Sequence, residues 1–519
     1  MYKKLNMNNT DLNIIITKLV FPNLVLTGKD IEDFEDNSIA FMKSEIEEVE
    51  EQSNKSNAIG LLKIINSQHE DLYTNVVKPY YSQLLQTYNQ NPKGYWMNKI
   101  AAINLIFSTI ITNFSTQMGV SAIKISDEEL SNLMQEIVIK ELQNVDSHQL
   151  TKVFSFKFLV YFRNQIPAQW YSSLLTLLFE IIGKKDTLLV EGSLLALEKF
   201  LFMKDRANFR LFKFASCLND NNNLSLILNG LYNLTKEYNQ RAMVCFYKSL
   251  TLVNEDYFKT IVSVLPGIIV EILKYALTIQ PDLYKTEFNY QLFESIAFLL
   301  NKFKKIDGST GTSYISFRSS LNPTLNTMMS NSLTDLFNYM FQIYALELNL
   351  DKEFTDMQKT LFSHISDLKN WNLESTHLFV AFVDYWKVCF FTIPDQIYSS
   401  NLLNNVILII LKLCELKRES LCFEILACLI NSYPLDKISS TLLQLIPKLC
   451  EIQNKLQQEK SNTFRDFQRN LLLYLCKLSS RFEYENVANI LDNVSPNYTI
   501  NLFYSLLPSI KDIEETHMK

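Results

Sequence analysis

Apolar residues recur at helical spacing along most of the chain. In the stretch LLKIINSQHEDLYTNVVKPYYSQLLQTY the apolar positions fall on one face of a helix. This stripe consists of Leu72, Val76, Val77, Tyr80, Tyr81, Leu84 and Leu85. Segments of this kind alternate with short polar breaks such as NQNPKG, LNDNNN, TIQPDL and NSYPLD, which contain turn formers and helix stops. The pattern therefore predicts an array of helical hairpins.

Four prolines stand between apolar residues, at Pro79, Pro266, Pro447 and Pro508. Proline is tolerated in the first turn of a helix, and elsewhere it kinks the helix. HEAT-type repeats use both devices, and at roughly 40 to 47 residues per two-helix repeat the chain would hold about eleven to thirteen repeats. We predict an all-α fold, an α-solenoid of HEAT-type two-helix repeats in a right-handed superhelix, with a compact helical bundle as the alternative. The inner helices of such a solenoid line a concave surface that suits protein binding.

Two segments interrupt the helical pattern. Residues 307–335 are rich in serine, threonine and asparagine and lack sustained periodicity, which predicts a flexible insertion loop. The other is an acidic connector, FPNLVLTGKDIEDFEDN, over residues 21–37. We therefore predict a division of the chain into an initial helix and acidic connector over 1–50, HEAT-type repeats over 51–306, the loop over 307–335 and further HEAT-type repeats over 336–519.

The acidic connector places five carboxylates within residues 30–36. One interpretation is structural: the segment links helical repeats, and Phe34 anchors it in an apolar cleft. The other is functional, because exposed carboxylates can also meet a basic surface of a partner. A second acidic run follows, and we expect it to occupy the solvated side and end of a helix; its carboxylates are Glu45, Glu47, Glu48, Glu50 and Glu51.

Composition narrows the class of protein. The chain has 519 residues, 47% of them apolar, but only 10 glycines and 12 prolines, so tight β-turns and phosphate-binding glycine loops have few places to sit. The formal net charge of -6 excludes a general attraction to nucleic acid or to an anionic membrane and favours a basic partner. The eight cysteines form no CxxC pair, which favours reduced core thiols over disulfides. Apolar runs fall short of the roughly 20 residues that span a bilayer, so we expect a soluble protein without membrane insertion.

The sequence offers no pattern typical of catalysis. Its five histidines are widely spaced, and no histidine or cysteine cluster has zinc-binding spacing. The glycine pair Gly308 and Gly311 lacks the ending of a phosphate-binding loop, and no GxSxG motif occurs. Aromatic residues lie on apolar helix faces, which favours core packing over base stacking. We therefore predict no catalytic, metal-binding or cofactor-binding residue, and a protein that is not an enzyme and acts by binding.

Several segments resemble those of one protein family, in the same order. The acidic connector is similar to the family's apolar segment followed by an acidic element, matched by Asp30, Glu32 or Asp33, Phe34, Glu35, Asp36 and Asn37. YWMNKIAAINLIFSTI places Trp96 before a helix, and FKFLVYFRNQIP ends a helix with Phe162, Arg163, Asn164 and Gln165. ALEKFLFMKD, NYQLFESIAFLL and LFNYMFQIYALEL resemble later segments. The family is that of the cellular apoptosis susceptibility (CAS) exportins, within the karyopherin-β superfamily.

The resemblance implies a function in nuclear transport. Family members bind importin-α together with Ran-GTP and return it from the nucleus to the cytoplasm, so it implies an export receptor, or a fragment of one, that shuttles between both compartments. Partner contacts are expected at matching residues, namely Asp30, Glu32, Asp33, Phe34, Glu35, Asp36, Arg163 and Asn164. The alternatives are another karyopherin-like cargo receptor, a helical-repeat scaffold without Ran dependence, or an enzyme-associated helical module.

The chain departs from the family in charge and in length. After Met42 its charge is almost entirely acidic, whereas the family has a run of both signs. Family members are nearly twice as long, and their N-terminal repeats, a principal Ran-GTP surface, have no counterpart before Phe21. Their extreme C-terminal repeats also have no counterpart. We therefore expect weakened Ran-GTP binding, in either a fragment or a reduced relative with a changed binding cycle.

Overall fold

Helices make up nearly all of the described structure. It is a computed structural model that describes residues 9–47, 53–69, 71, 73–116, 118–204, 212–219, 221–236, 239–278, 286–307, 311–330, 336–366, 376–399, 402–416, 418–460, 462–493 and 495–506. The chain divides into two compact units, the first within residues 1–268 and 282–292 and the second within 269–281 and 293–519.

Several helices of the first unit begin at polar caps. Ser53, Ser126, Asp186 and Asn239 each accept a hydrogen bond from the backbone N–H three positions later, which satisfies a donor at the helix start. The helices of this unit are α1 (Asn9–Ile15), α2 (Phe21–Leu24), α3 (Gly28–Asp36), α4 (Ser38–Glu47), α5 (Asn54–Gln68), α6 (Lys78–Gln90), α7 (Trp96–Ile110), α8 (Asp127–Leu133), α9 (Lys140–Gln143), α10 (Gln149–Phe162), α11 (Tyr171–Ile182), α12 (Thr187–Leu201), α13 (Ala215–Leu218), α14 (Asn221–Thr235), α15 (Gln240–Leu252) and α16 (Glu255–Ile261). Shorter π-helical and 3-10 turns cover Ile16–Val20, Tyr73–Val77, Met134–Ile139 and Ala168–Trp170.

Two layers of helices build the first unit. In one layer α7, α10, α12 and α15 pack side by side in chain order. The other layer consists of α6, α11 and α14, which pack against α7, α12 and α15, respectively, and so form helical pairs. Helices α7 and α10 bury nearly every position because neighbours enclose them, and α4 packs on α10 and α12. This arrangement of stacked pairs is the one that the apolar periodicity predicts.

The predicted apolar stripe before α7 is confirmed where it is described. Val76, Val77, Tyr81 and Leu85 are buried, and Tyr80 and Leu84 are half-buried, whereas Leu72 lies outside the described residues. The proline prediction also holds, since Pro79 is the second residue of α6. Pro266 is the second residue of a later helix, and Pro447 lies inside a long one. Pro508 lies outside the described residues.

A small β-hairpin follows α7 and was not predicted. Strands β1 (Ile111–Ser115) and β2 (Gly119–Ile123) are antiparallel, with Phe114 opposite Val120 and Ser115 opposite Gly119. Gly119 has a φ of 74°. A Cβ there would lie 2.7 Å from Arg163 Nη1 and 2.8 Å from the Tyr161 carbonyl oxygen, so the turn requires glycine. One of the chain's few glycines thus permits its one described strand pair.

The second unit repeats the two-layer arrangement. Its helices are α19 (Thr312–Ser330), α20 (Phe337–Asp351), α21 (Asp356–Ser366), α22 (Thr376–Thr392), α23 (Pro394–Ser399), α24 (Leu403–Glu415), α25 (Glu419–Ser432), α26 (Leu435–Gln458), α27 (Phe464–Phe482), α28 (Tyr484–Asp492) and α29 (Tyr498–Leu506). The boundary between the units runs through α17 (Leu265–Thr278) and α18 (Thr286–Asp307). Within the second unit, α20, α22, α25 and α27 form one layer and α24, α26 and α28 the other.

The flexible loop predicted over residues 307–335 is wrong for most of that segment. Residues Thr312–Ser330 form helix α19, which contains Pro323. Its buried side chains recur three or four positions apart, at Tyr314, Phe317, Leu321, Leu325 and Met328. This helical period was hidden by the serine, threonine and asparagine residues between them. Residues 308–310, which include Gly308, and 331–335 lie outside the described residues.

The cysteines are free thiols, and five of them, Cys245, Cys389, Cys414, Cys422 and Cys428, are buried. The prediction of core thiols is confirmed for these five, whereas Cys476 is exposed.

Among the described helices, none alone has both the length and the apolar character to cross a membrane. One pair bent by 66°, Glu255–Ile261 with Leu265–Leu277, meets the length and composition criteria only when both are taken together.

Candidate functional site

The acidic connector folds into helix α3, which caps itself. Thr27 Oγ1 accepts a hydrogen bond from the Asp30 backbone N–H at 3.3 Å, and Asp30 Oδ2 accepts one from the Thr27 backbone N–H at 2.7 Å. This reciprocal capping box satisfies two donors that a helix start leaves unpaired, and the Asp30 carboxylate also complements the positive end of the helix dipole. Asp30, which is half-buried, therefore has a structural task within α3.

The other acidic positions of α3 surround one buried ring. Phe34 is buried, and its ring meets that of Phe41 edge-on at a centroid distance of 5.7 Å. The predicted anchoring by Phe34 is thus confirmed. The remaining carboxylates are exposed and form no ion pair with any residue that the structure describes; they belong to Glu32, Asp33, Glu35 and Asp36. They leave a solvated acidic surface on α3.

Glu45 on α4 is held in a buried ion pair. Its carboxylate lies 2.7 Å from Lys157 Nζ on α10 and 3.1 Å from Lys55 Nζ on α5. Burial by itself raises the pKa of Glu45, but the two ammonium groups outweigh burial and lower the pKa to about 2. Glu45 therefore remains charged and ties α4 to two other helices.

Glu47, two residues after Glu45 on α4, joins a second ion-pair network. Its carboxylate lies 3.1 Å from Lys199 Nζ and 3.1 Å from Arg241 Nη2, and Arg241 Nη1 lies 2.7 Å from Glu198 Oε2. Burial raises the pKa of Glu47, but Arg241 and Lys199 together lower it below its usual value. The prediction that Glu45 and Glu47 occupy a solvated face is therefore wrong, because both face cations on neighbouring helices. Glu48, Glu50 and Glu51 lie outside the described residues.

The turn after α10 fastens the β-hairpin. Arg163 Nη2 donates to the Thr116 carbonyl at 3.0 Å and Arg163 Nη1 to the Val160 carbonyl at 2.6 Å. Asn164 Nδ2 donates to the Met118 carbonyl, and Gln165 Nε2 donates to the Val120 carbonyl at 3.0 Å. Burial lowers the pKa of Arg163 to about 10. The FRNQ segment, residues 162–165, thus supplies three side chains that donate hydrogen bonds to carbonyl groups of the hairpin.

Arg163 and Asn164 therefore differ from the acidic residues as candidates for partner contact. Only 3% of Arg163 and 8% of Asn164 is exposed. Their side chains position the hairpin, whereas Glu32, Asp33, Glu35 and Asp36 point into solvent. Partner binding by any of these residues stays a prediction, and for the two buried residues we expect it to act through the hairpin.

Sequence reasoning missed a polar cavity of about 580 Å³ in the first unit. It is lined by residues that include Glu191 and Glu198 of α12, Arg241 of α15 and Lys43 of α4. Glu191 and Glu198 are seven residues apart, so they lie on the same face of α12. This spacing is the feature of the sequence that could have indicated the polar cavity. Among the described residues, no group of three or more histidine, cysteine, aspartate or glutamate side chains is arranged to hold a metal ion.

Two family models together match nearly all of the chain. A family model described as Cse1 matches residues 1–196, and one described as CAS/CSE protein, C-terminus, matches residues 198–517. Exportin-2 of Xenopus laevis and Exportin-2 of Homo sapiens are each 24% identical to this chain over 380 residues. These alignments cover 71% of this chain but 38% of each relative, so the aligned region is well under half of each relative.

A solved structure agrees in fold. "The exportin Cse1 in its cargo-free, cytoplasmic state" matches with a TM-score of 0.67 and 18% sequence identity, covering 96% of this chain and 51% of that one. This likeness, together with the helical content of the described residues, confirms the predicted all-α helical-repeat solenoid fold. The resemblance that the sequence motifs suggested is confirmed as well. Because the two family models together match nearly every residue, the chain belongs to the CAS/CSE family of exportins.

Proposed function

We propose that the chain works as a nuclear export receptor, or as part of one, that binds importin-α together with Ran-GTP. In this role it shuttles between nucleus and cytoplasm and returns importin-α to the cytoplasm. The observation that carries the proposal is membership of the CAS/CSE family along nearly the entire chain. It acts by binding, and hydrolysis of GTP is left to Ran.

The exposed acidic surface of α3 favours binding to a partner that presents a basic surface. Four carboxylates are exposed on one short helix whose buried residue, Phe34, is turned inward; they belong to Glu32, Asp33, Glu35 and Asp36. Exposed charges at the rim of an interface mainly raise the association rate and the specificity, while buried groups supply most of the affinity. We assign these four carboxylates to the attraction of a basic region on importin-α or Ran.

An array of stacked helical pairs suits a receptor whose affinity for its cargo must change. Each pair contacts mainly its neighbours, so small rotations between pairs add up along a repeat array. Binding of Ran-GTP and importin-α to one array stabilises one set of rotations, and hydrolysis removes that stabilisation. Release of importin-α then follows from the loss of Ran-GTP.

A binding experiment with purified proteins tests the proposal. The complete chain is immobilised and offered importin-α alone, with Ran held in its GTP form, or with Ran-GDP. We expect Ran-GTP to increase importin-α retention by about tenfold or more, which corresponds to a coupling free energy of about 1.4 kcal/mol. Equal retention in all three mixtures would indicate a scaffold without Ran dependence, and retention of neither protein would refute the proposal.

A further inference from the structure

An aromatic groove lies beside the β-hairpin in the first unit. It contains a cavity of about 470 Å³, a size typical of ligand-binding clefts. Three rings form a continuous wall: Tyr161 stacks on Phe107 at a centroid distance of 5.3 Å and on Phe114 at 4.5 Å. Phe114, Thr116 and Tyr161 also line an adjoining cavity of about 330 Å³. The shared wall favours an extended occupant over a small molecule confined to one cavity.

The charges at the larger cavity have a single sign. Among the described residues, the charged side chains that line it are Lys63 and Lys157, and no carboxylate lines it; the adjoining cavity is lined by Glu47 together with Arg163 and Lys199. Lys63 is exposed and forms no ion pair with a described residue. Lys157 Nζ lies 2.7 Å from the carboxylate of Glu45, which also forms an ion pair with Lys55. Lys157 Nζ also lies 5.4 Å from the centre of the Tyr161 ring. This local cationic character contrasts with the chain's net charge of -6.

We infer that this groove binds an extended, acidic segment of a partner protein that inserts an aromatic or large aliphatic side chain against Phe107, Phe114 and Tyr161. Aromatic anchors in a desolvated pocket supply most of the affinity of such contacts, and flanking charges select the partner. Carboxylates beside the anchor would complement the exposed Lys63. The inference goes beyond the proposed function, because it does not depend on Ran or on the identity of the cargo.

The hairpin supplies one side of the groove. The hairpin is held by side chains of Arg163, Asn164 and Gln165. Its residues that line the groove are Ile111, Phe114, Ser115 and Thr116. Thr116 is exposed, and its carbonyl rather than its side chain accepts the hydrogen bond from Arg163. A larger side chain at position 116 can therefore fill the groove without removing the hydrogen bond from Arg163 to the backbone carbonyl.

Fluorescence anisotropy with synthetic peptides tests the inference on the complete chain. The probe is a short labelled peptide with a central Leu-Phe pair flanked by aspartates. The comparison peptides carry serines or lysines in place of the aspartates, or alanines in place of Leu-Phe. We expect the acidic aromatic peptide to bind with a Kd of about 1–100 μM, about tenfold more tightly than the serine peptide, with no detectable binding of the other two.

Two surface variants locate the binding site. Thr116→Trp should weaken binding by more than about tenfold by filling the groove, and Lys63→Glu should weaken it by about tenfold by reversing the charge at its rim. Lys185→Glu is the matched control, since Lys185 is exposed and does not line the groove. Equal binding of the acidic, serine and lysine peptides, absence of binding, or unchanged binding by Thr116→Trp would each overturn the inference. Circular dichroism verifies folding, and the peptide comparison on the unaltered chain decides the charge requirement without any variant.

Discussion

At the scale of single residues, Glu45 shows how a charged side chain can hold a helical repeat together. It lies on an acidic helix, yet its carboxylate is enclosed by Lys157 and Lys55 from two other helices. Only 4% of the Lys157 side chain and 16% of the Glu45 side chain is exposed. A buried charge that loses its partner is costly, because neither water nor another ion replaces that partner.

We expect Lys157→Met to lower the free energy of unfolding by about 2–4 kcal/mol, since it leaves the buried Glu45 with one ammonium group. The double variant Glu45→Gln/Lys157→Met should recover part of this loss, because no lone buried charge remains. Urea denaturation measures both. Lys140→Met is the control: its partner Glu136 is more exposed, so the cost should stay below about 1 kcal/mol.

The pH dependence of stability distinguishes the ion pair from simple packing. Because the pKa of folded Glu45 is lowered from 4.5 to about 2, its contribution is complete above pH 4.5 and is lost as the pH falls toward 2. The difference in unfolding free energy between the unaltered chain and Glu45→Gln should therefore shrink across that window. Parallel curves for the two proteins between pH 5 and pH 2.5 would contradict this assignment.

At the scale of elements, the β-hairpin and the turn after α10 form one structural unit. Carbonyl groups of Thr116, Met118 and Val120 accept hydrogen bonds from Arg163, Asn164 and Gln165. Side chains of the turn after α10 thus serve as hydrogen-bond donors to the hairpin backbone, a role that water would otherwise fill. The family-like FRNQ motif therefore has a structural explanation that requires no partner.

Gly119→Ala should loosen this unit and lower the free energy of unfolding by about 2–3 kcal/mol. The new Cβ meets Arg163 Nη1 and the Tyr161 carbonyl, and alanine is unfavourable at a φ of 74°. Hydrogen exchange should become faster across 111–123. Gly60→Ala in α5 is a matched control, since its Cβ would meet no atom within 4 Å, and alanine there should stabilise the helix by about 1 kcal/mol. Similar effects of the two substitutions would rule out the proposed crowding.

At the scale of the whole molecule, the exposed acidic surface of α3 supplies part of the net charge of -6 and is the region that we assign to a basic partner. The surface owes its shape to Phe34, whose burial orients α3 and leaves the charged positions outward. Long-range attraction by such charges speeds encounter and weakens as salt is added.

Neutralising this surface should slow the association of importin-α and Ran-GTP by about tenfold at low salt, with little change in dissociation. The variant replaces Glu32, Asp33, Glu35 and Asp36 by the corresponding amides. A control of equal charge neutralises exposed acids of the second unit, namely Glu451, Glu459, Asp466 and Glu485. Surface plasmon resonance separates the two rates. Equal slowing by both variants would show a general charge effect rather than a site on α3.

The sequence by itself determined the helical periodicity of most of the chain and the family. These features depend on residues a few positions apart, so periodicity and short motifs reveal them without long-range information. The prediction was wrong over Thr312–Ser330, where an apolar residue at every third or fourth position was sufficient for a helix despite a polar composition.

Only the tertiary structure decided which polar groups are enclosed and what they do. Glu45 meets Lys157 across 112 positions, and Glu47 meets Arg241 across 194. The aromatic groove likewise combines α7, the hairpin and α10. Such pairings depend on how successive helices stack, since a small rotation of one helix would turn the same carboxylate toward water. Helical periodicity states which face of a helix is buried, but it does not state which charged side chain of another repeat faces it.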